Sequence, residues 1–169
     1  MNRIKVVSDV SELVPILRAV DSEIKRTLFK DVTQNWLTAK QVGEKYGDEG
    51  LEAIRFFEKM KLVETKWQTG TSPEGRPVPE KAYHAFYGSF HINASTPVNE
   101  ITDVLSVAMM AEEKYRKTEE KIYKMVGEQG MFSGDVAEDL QVTQTTLKAL
   151  VKRSGRLDFR GHRIIRYED

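Results

Sequence analysis

Between Thr38 and Ile92 the spacing of apolar residues switches from a helical period to a strand period, and few folds accommodate that switch in so short a span. Thr38, with Gln41 three residues on, has the form of a capping box, so Thr38 to Tyr46 reads as a short helix. Gly47 and Asp48 make a turn, and Asp48 can cap a second helix. That helix sets Leu51, Ile54 and Phe57 or Glu58 on one face, with Met60 and Leu62 closing it. From Leu62 to Gln68 the side chains alternate, Val63, Thr65 and Trp67 against Glu64, Lys66 and Gln68. Gly70, Pro73, Gly75, Pro77 and Pro79 are expected to form a loop. Ala82 to Ile92 is expected as one second strand, with Phe86, Phe90 and Ile92 on one face.

Helix, turn, helix and hairpin is the winged helix-turn-helix order. It returns in compressed form near the end of the chain. Ser133 is expected to cap a short helix with Val136, Ala137 and Leu140 inward. Thr143 caps a second helix with Leu147, Leu150 and Val151 inward, stopped by Ser154 and Gly155. Leu157 to Tyr167 reads as a hairpin turning at Arg160-Gly161. Ahead of the first pattern, Arg3 to Val7 is a short strand, and Ser11 caps a helix with Pro15 in its first turn. Leu13, Leu17, Val20, Ile24, Leu28 and Val32 follow at helical steps, with a second cap near Asp21-Ser22.

Between the two patterns a helix starts near Val98, with Ser95 or Thr96 as cap and Pro97 at its first position. It carries Ile101, Val104, Leu105, Ala108 and Met109 on one face and is expected to run on to Val126, about 45 Å at 1.5 Å per residue. The expected fold is mainly α with small β-hairpin wings: two winged helix-turn-helix units joined by a long helix. The divisions are 1–95 for the first unit, 96–115 for a linker and dimerisation helix, and 116–169 for the second, smaller unit. Leu13, Leu17, Ile101, Val104, Leu105 and Ala108 form the expected interface of a homodimer, since self-complementary pairing is the commonest way to bury such stripes.

Composition narrows the function. The chain has no cysteine, which removes disulfides and thiolate metal sites and fits a cytoplasmic protein. No apolar run approaches bilayer length, so no membrane association is expected, and MNRIKVVSDV lacks the features of a signal peptide. His84 and His91 are seven apart, on opposite faces of an unbroken strand, so no metal or other cofactor is expected. No nucleophile elbow, phosphate loop or carboxylate cluster points to an enzyme. The neutral total conceals an asymmetry: 101–140 carries five basic against nine acidic residues, and 141–169 seven basic against three acidic. A basic tail of that kind suits an anionic partner.

Double-stranded DNA is the partner this pattern fits best. In the second unit, Gln144, Thr145, Lys148 and Lys152 lie on the outer side of their helix, where an amide can read adenine and a lysine can contact phosphate. Arg160 and Arg163 flank the hairpin turn beside His162. In the first unit the candidates are Arg55 and Lys59 on the second helix, with Lys66 and Arg76 on the wing. Glu49, Glu52 and Glu58 share that helix and oppose phosphate, so the first unit stays open to DNA contact or to protein contact. The two functions to separate are therefore a sequence-specific regulator acting as a homodimer on promoter DNA, and a winged-helix protein-interaction module of the transcription machinery.

The segment AYHAFYGSFHINASTPVNEITDVLSVAMM, behind FFEKMKLVETKW, resembles the archaeal ArsR-type transcriptional regulators found chiefly in methanogens. The tyrosine-bearing strand running into HINAS and a helical P-V-N-E-I segment is the most specific part, and the resemblance extends over most of the chain. It implies a cytoplasmic DNA-binding regulator, a homodimer, with its helix-turn-helix between Thr38 and Lys61. It identifies no small-molecule effector. Lacking cysteine, this sequence departs from the metal-sensing relatives, so soft-metal sensing is not implied.

Overall fold

The computed structural model describes residues 3–168. Met1, Asn2 and Asp169, at the outer ends of the expected 1–95 and 116–169 units, lie outside the described residues. In chain order the elements are β1 (Ile4–Val7), a 3-10 turn (Val10–Glu12), α1 (Leu13–Ala19), α2 (Glu23–Gln34), β2 (Leu37–Thr38), α3 (Ala39–Lys59), β3 (Val63–Thr71), β4 (Pro77–Ala85) and β5 (Ser89–Ile92). Then follow α4 (Val98–Met109), α5 (Glu112–Val126), β6 (Met131–Phe132), α6 (Ser133–Leu140), α7 (Gln144–Arg153), β7 (Leu157–Arg160) and β8 (Arg163–Arg166). The chain is mainly α with small antiparallel sheets. It divides into two compact units, one of residues 3–6 and 19–91, the other of residues 7–18 and 92–168. The 96–115 segment thus belongs to the second unit.

In the first unit, Ser22 caps α2 by accepting from the Lys25 amide, so a new helix does begin where the apolar stripe breaks. Leu28 and Val32 of α2 are fully buried with Val42, Ile54 and Phe57 of α3, and Phe29 meets Phe57 edge-on at 5.1 Å. Both bonds of the Thr38–Gln41 capping box form, at 3.2 and 2.8 Å. Gly47 interrupts α3 with φ 67° and ψ −159°, a conformation nearly confined to glycine. The bend brings its two halves so close that a Cβ on Gly50 would lie 2.3 Å from that of Tyr46.

The hairpin differs from the sequence expectation. Gly70, Pro77 and Pro79 are not loop: β3 and β4 pair without interruption from Val63↔Ala85 to Thr71↔Pro77, and only Ser72 to Arg76 turn. Pro77 and Pro79 are two apart and face the same edge. β2 covers β4 only at Tyr83 and Ala82, so the proline nitrogens face no strand that needs a donor. The single strand expected over Ala82 to Ile92 is two. β4 ends at Ala85 and β5 pairs with β1 instead.

In the second unit, Asp9, not Ser11, caps the first turn, its carboxylate accepting from both the amide and the hydroxyl of Ser11. Val10 and Val14 pack with Val104 and Val107 of α4, Ile122 of α5, Leu147 and Leu150 of α7 and Ile164 of β8. The long helix expected from Val98 to Val126 is broken. Met110 and Ala111 are extended, with ψ near 134° and 139°, so α4 and α5 are separate. The cause lies in α7. The buried Arg153 guanidinium donates to the carbonyls of Val107 and Met110 at 2.8 and 2.7 Å, and to Glu112 at 2.8 Å. It thereby gives a donor to the Met110 carbonyl beyond the helix end and a second one to Val107, which also accepts from the Met110 amide at 3.3 Å. Thr143 caps α7 as expected, whereas Ser133 does not cap α6 and neither Ser95 nor Thr96 caps α4.

The two larger sheets share one topology. In the first unit the order is β2-β4-β3; in the second it is β6-β8-β7. Each time a two-residue strand precedes two helical segments and then pairs with the second strand of the hairpin that follows them.

Candidate nucleic-acid interface

In the first unit the outer side of the second half of α3 exposes Asp48, Glu49, Glu52 and Arg55. Arg55 thus stands on the surface where expected. Lys59 does not: it is 6% exposed at the last turn of α3, where the chain reverses through Lys61 with φ 56° into β3. The carboxylate of Glu58 is bonded by Lys81 of β4, which removes one of the three acidic charges opposing phosphate. Glu49 accepts from the Ser22 hydroxyl at 2.6 Å.

The hairpin carries the rest. Lys66 is exposed with its ammonium 4.1 Å from the centre of the Trp36 ring, a cation–π contact that aims it off the sheet. Trp36 stacks in turn on His84 at 5.1 Å. Trp67 is 71% exposed on the opposite face, and Arg76 is exposed in the turn. Sequence reasoning placed Trp67 only as a strand position. The alternation put it on the face of Val63, which is buried, so the pattern alone gave no sign of an exposed indole.

In the second unit Gln144 is exposed, Thr145, Lys148 and Lys152 are half-buried, and Arg160 and Arg163 are exposed beside Gly161, whose φ of 61° makes the turn. These residues are not equally available. Lys148 forms an ion pair with Asp9. Burial works against the charged form of Asp9, but the bonds from Lys148 and Ser11 outweigh it and hold the carboxyl below its ordinary value. Arg163 donates to the Gly130 carbonyl at 2.7 Å. Among the described residues Lys152 and Arg160 make no ion pair.

The charge asymmetry of the sequence resolves inside this unit. Arg153 pairs with Glu112, Arg156 with Glu120 and Arg166 with Glu128. Arg156 and Arg166 also lie 4.0 and 4.1 Å from the Tyr123 ring centre. The basic tail has therefore found much of its anionic partner in its own acidic helix, α5, and the turn after it, and the inference of an external one loses that support. The residues that do this were missed, although a signal existed. Arg153 lies three positions after Leu150 and Glu119 four after Tyr115, so both continue an apolar stripe and must point inward. Glu119 is 2% exposed and accepts from the Ser154 hydroxyl.

The expected dimer residues separate into two groups. Val104 and Ala108 are 0% and 5% exposed within the core of the second unit. Leu13 and Ile101 pack against that core and Leu105 is half-buried, while Leu17 is 44% exposed. Among the described residues no three His, Asp or Glu side chains cluster in a way that could hold a metal, and no helix is long and apolar enough to cross a membrane.

Each unit thus carries two helical segments followed by a hairpin, with cations on the hairpin and on one of the helical segments. A family model for ArsR transcriptional regulators matches residues 7–168, and the chain belongs to that family. No curated protein matches it.

Proposed function

We propose that the chain is a sequence-specific DNA-binding regulator, cytoplasmic and of the kind found in methanogenic archaea, acting as a homodimer on promoter DNA through two winged helix-turn-helix units. The observation that carries this reading is the repeated topology. A winged helix needs a short strand to anchor the hairpin beside its second helix, and β2 and β6 each occupy that place. Arg55, Lys66 and Arg76 are the first unit's contacts; Gln144, Thr145, Lys148, Lys152, Arg160 and Arg163 are the second's. In this reading lysine and arginine hold phosphate and set register, while Gln144 and Arg55 read base edges.

One observation favours a docking role for the first unit instead. Asp48, Glu49 and Glu52 crowd the outer face of α3, and phosphate is repelled there. A gel shift on promoter fragments across a salt series separates the two readings. A regulator shows affinity falling steeply with salt, and Arg55→Ala costs about 1–3 kcal/mol and relaxes one base position. A docking module shows no binding above background at any salt.

A further inference from the structure

The loop that enters the second unit lies against the helix proposed to read DNA. Val10 and Ser11 are 7% and 1% exposed, so the backbone on the C-terminal side of Asp9 is anchored in the core. Asp9 is fixed twice over: it caps the 3-10 turn, and one of its oxygens accepts from both the amide and the hydroxyl of Ser11, at 2.9 and 2.8 Å. Its other oxygen holds the Lys148 ammonium. Beside the pair opens a cavity of about 440 Å³ whose walls include Glu100, Gln144 and Thr145. Glu100 is engaged by the Thr96 hydroxyl at 3.1 Å. Two carboxylates and one ammonium thus face the space in front of Gln144 and Thr145, which leaves it net negative.

A carboxylate bound to a lysine on a reading helix occupies the place of a phosphate oxygen. We infer that Asp9 is an autoinhibitory contact: it masks Lys148 and repels the DNA backbone from α7, so that DNA must displace it to be held by this unit. The inference rests on the proposal that α7 contacts DNA. The side chains of Lys148 and Asp9 are 43% and 44% exposed, and ion pairs so open to solvent are weak. The contact therefore attenuates binding without abolishing it. It also favours sites where the second unit gains other contacts, because only those repay the displacement.

The test uses the full chain and a mixed-sequence DNA duplex across a salt series. Asp9→Asn keeps a good capping side chain and removes the charge, and Asp9→Ser does the same with a shorter one. Unchanged circular dichroism and unfolding midpoint in either variant establish the fold. The expected result is that both bind about tenfold tighter at low salt, with the slope of log affinity against log salt steeper by about one. Lys148→Ala should bind more weakly than the parent. Adding Asp9→Asn to it should recover only the part due to repulsion and leave the slope shallow. If Lys148→Ala weakens binding while Asp9→Asn and Asp9→Ser match the parent, the masking is overturned and the α7 reading stands. If none of these variants differs from the parent, both fail together.

Discussion

Arg153 ties α7 to the end of α4 and the start of α5. Its residue is 4% exposed, it lies 4.1 Å from the Tyr115 ring centre, and its donors close the end of α4 and the start of α5 together. Arg153→Met fills a similar volume but takes the guanidinium donors from the Met110 carbonyl and from the Val107 carbonyl, which keeps only the Met110 amide at 3.3 Å. An unsatisfied buried acceptor costs about 1–3 kcal/mol. Urea unfolding of Arg153→Met should show a loss of about 2–4 kcal/mol, and a midpoint equal to the parent's would mean the guanidinium is dispensable. Asp31 does the corresponding work in the first unit. The hydrogen bond from Lys45, opposed by burial and reinforced by Tyr46 and Asn35, holds its carboxyl below the ordinary 3.8. A group with a depressed folded value stabilises the fold above its unfolded value and loses that contribution as pH falls through the folded one. Asp31→Asn should therefore be less stable than the parent at pH 7, with the difference closing as the pH falls below about 4. A gap that stays constant across the acid series would count against this account.

The elements most legible in the sequence are those whose signals are local. The Thr38 and Thr143 caps, the Ser22 restart, the Gly47 bend and the Gly161 turn each depend on residues within a few positions, and each is where the pattern puts it. What escaped depends on residues far along the chain. The break at Met110 and Ala111 needs Arg153, 43 residues beyond Met110. Pro77 and Pro79 are allowed in β4 because β2, some 40 residues earlier, stops short of them. Lys148 looks like an exposed cation until Asp9, 139 residues away, is beside it. The Gly47 bend gives the clearest element-scale prediction. No atom lies within 4 Å of a Cβ built there, so Gly47→Ala meets only backbone strain. That should cost about 1–3 kcal/mol in thermal or urea unfolding without loss of the folded spectrum. A change below the error of the measurement would show that α3 reshapes at no cost.

For the whole molecule, assembly decides how the two units are used. A palindromic promoter site requires a two-fold dimer, with half-sites about 34 Å apart or multiples of it. The expected stripe cannot serve as one surface, because Val104 and Ala108 are spent on the second unit's own core. Leu17 remains outside it, 44% exposed, as do Val98 and Met109 at 77% and 82%. Core and interface substitutions should then behave differently. Val104→Asp places a carboxylate in a closed apolar site and should unfold the protein, with loss of helical signal. Leu17→Asp should leave the fold intact and reduce a two-chain mass, measured by light scattering at micromolar concentration, to one. The same variant should bind a half-site with a shallower salt slope than the parent shows on the full palindrome, since fewer phosphates are neutralised per event. If the parent already runs as a single chain and Leu17→Asp changes neither its mass nor its slope, Leu17 is an ordinary surface residue. The two units of one chain would then have to span the site alone.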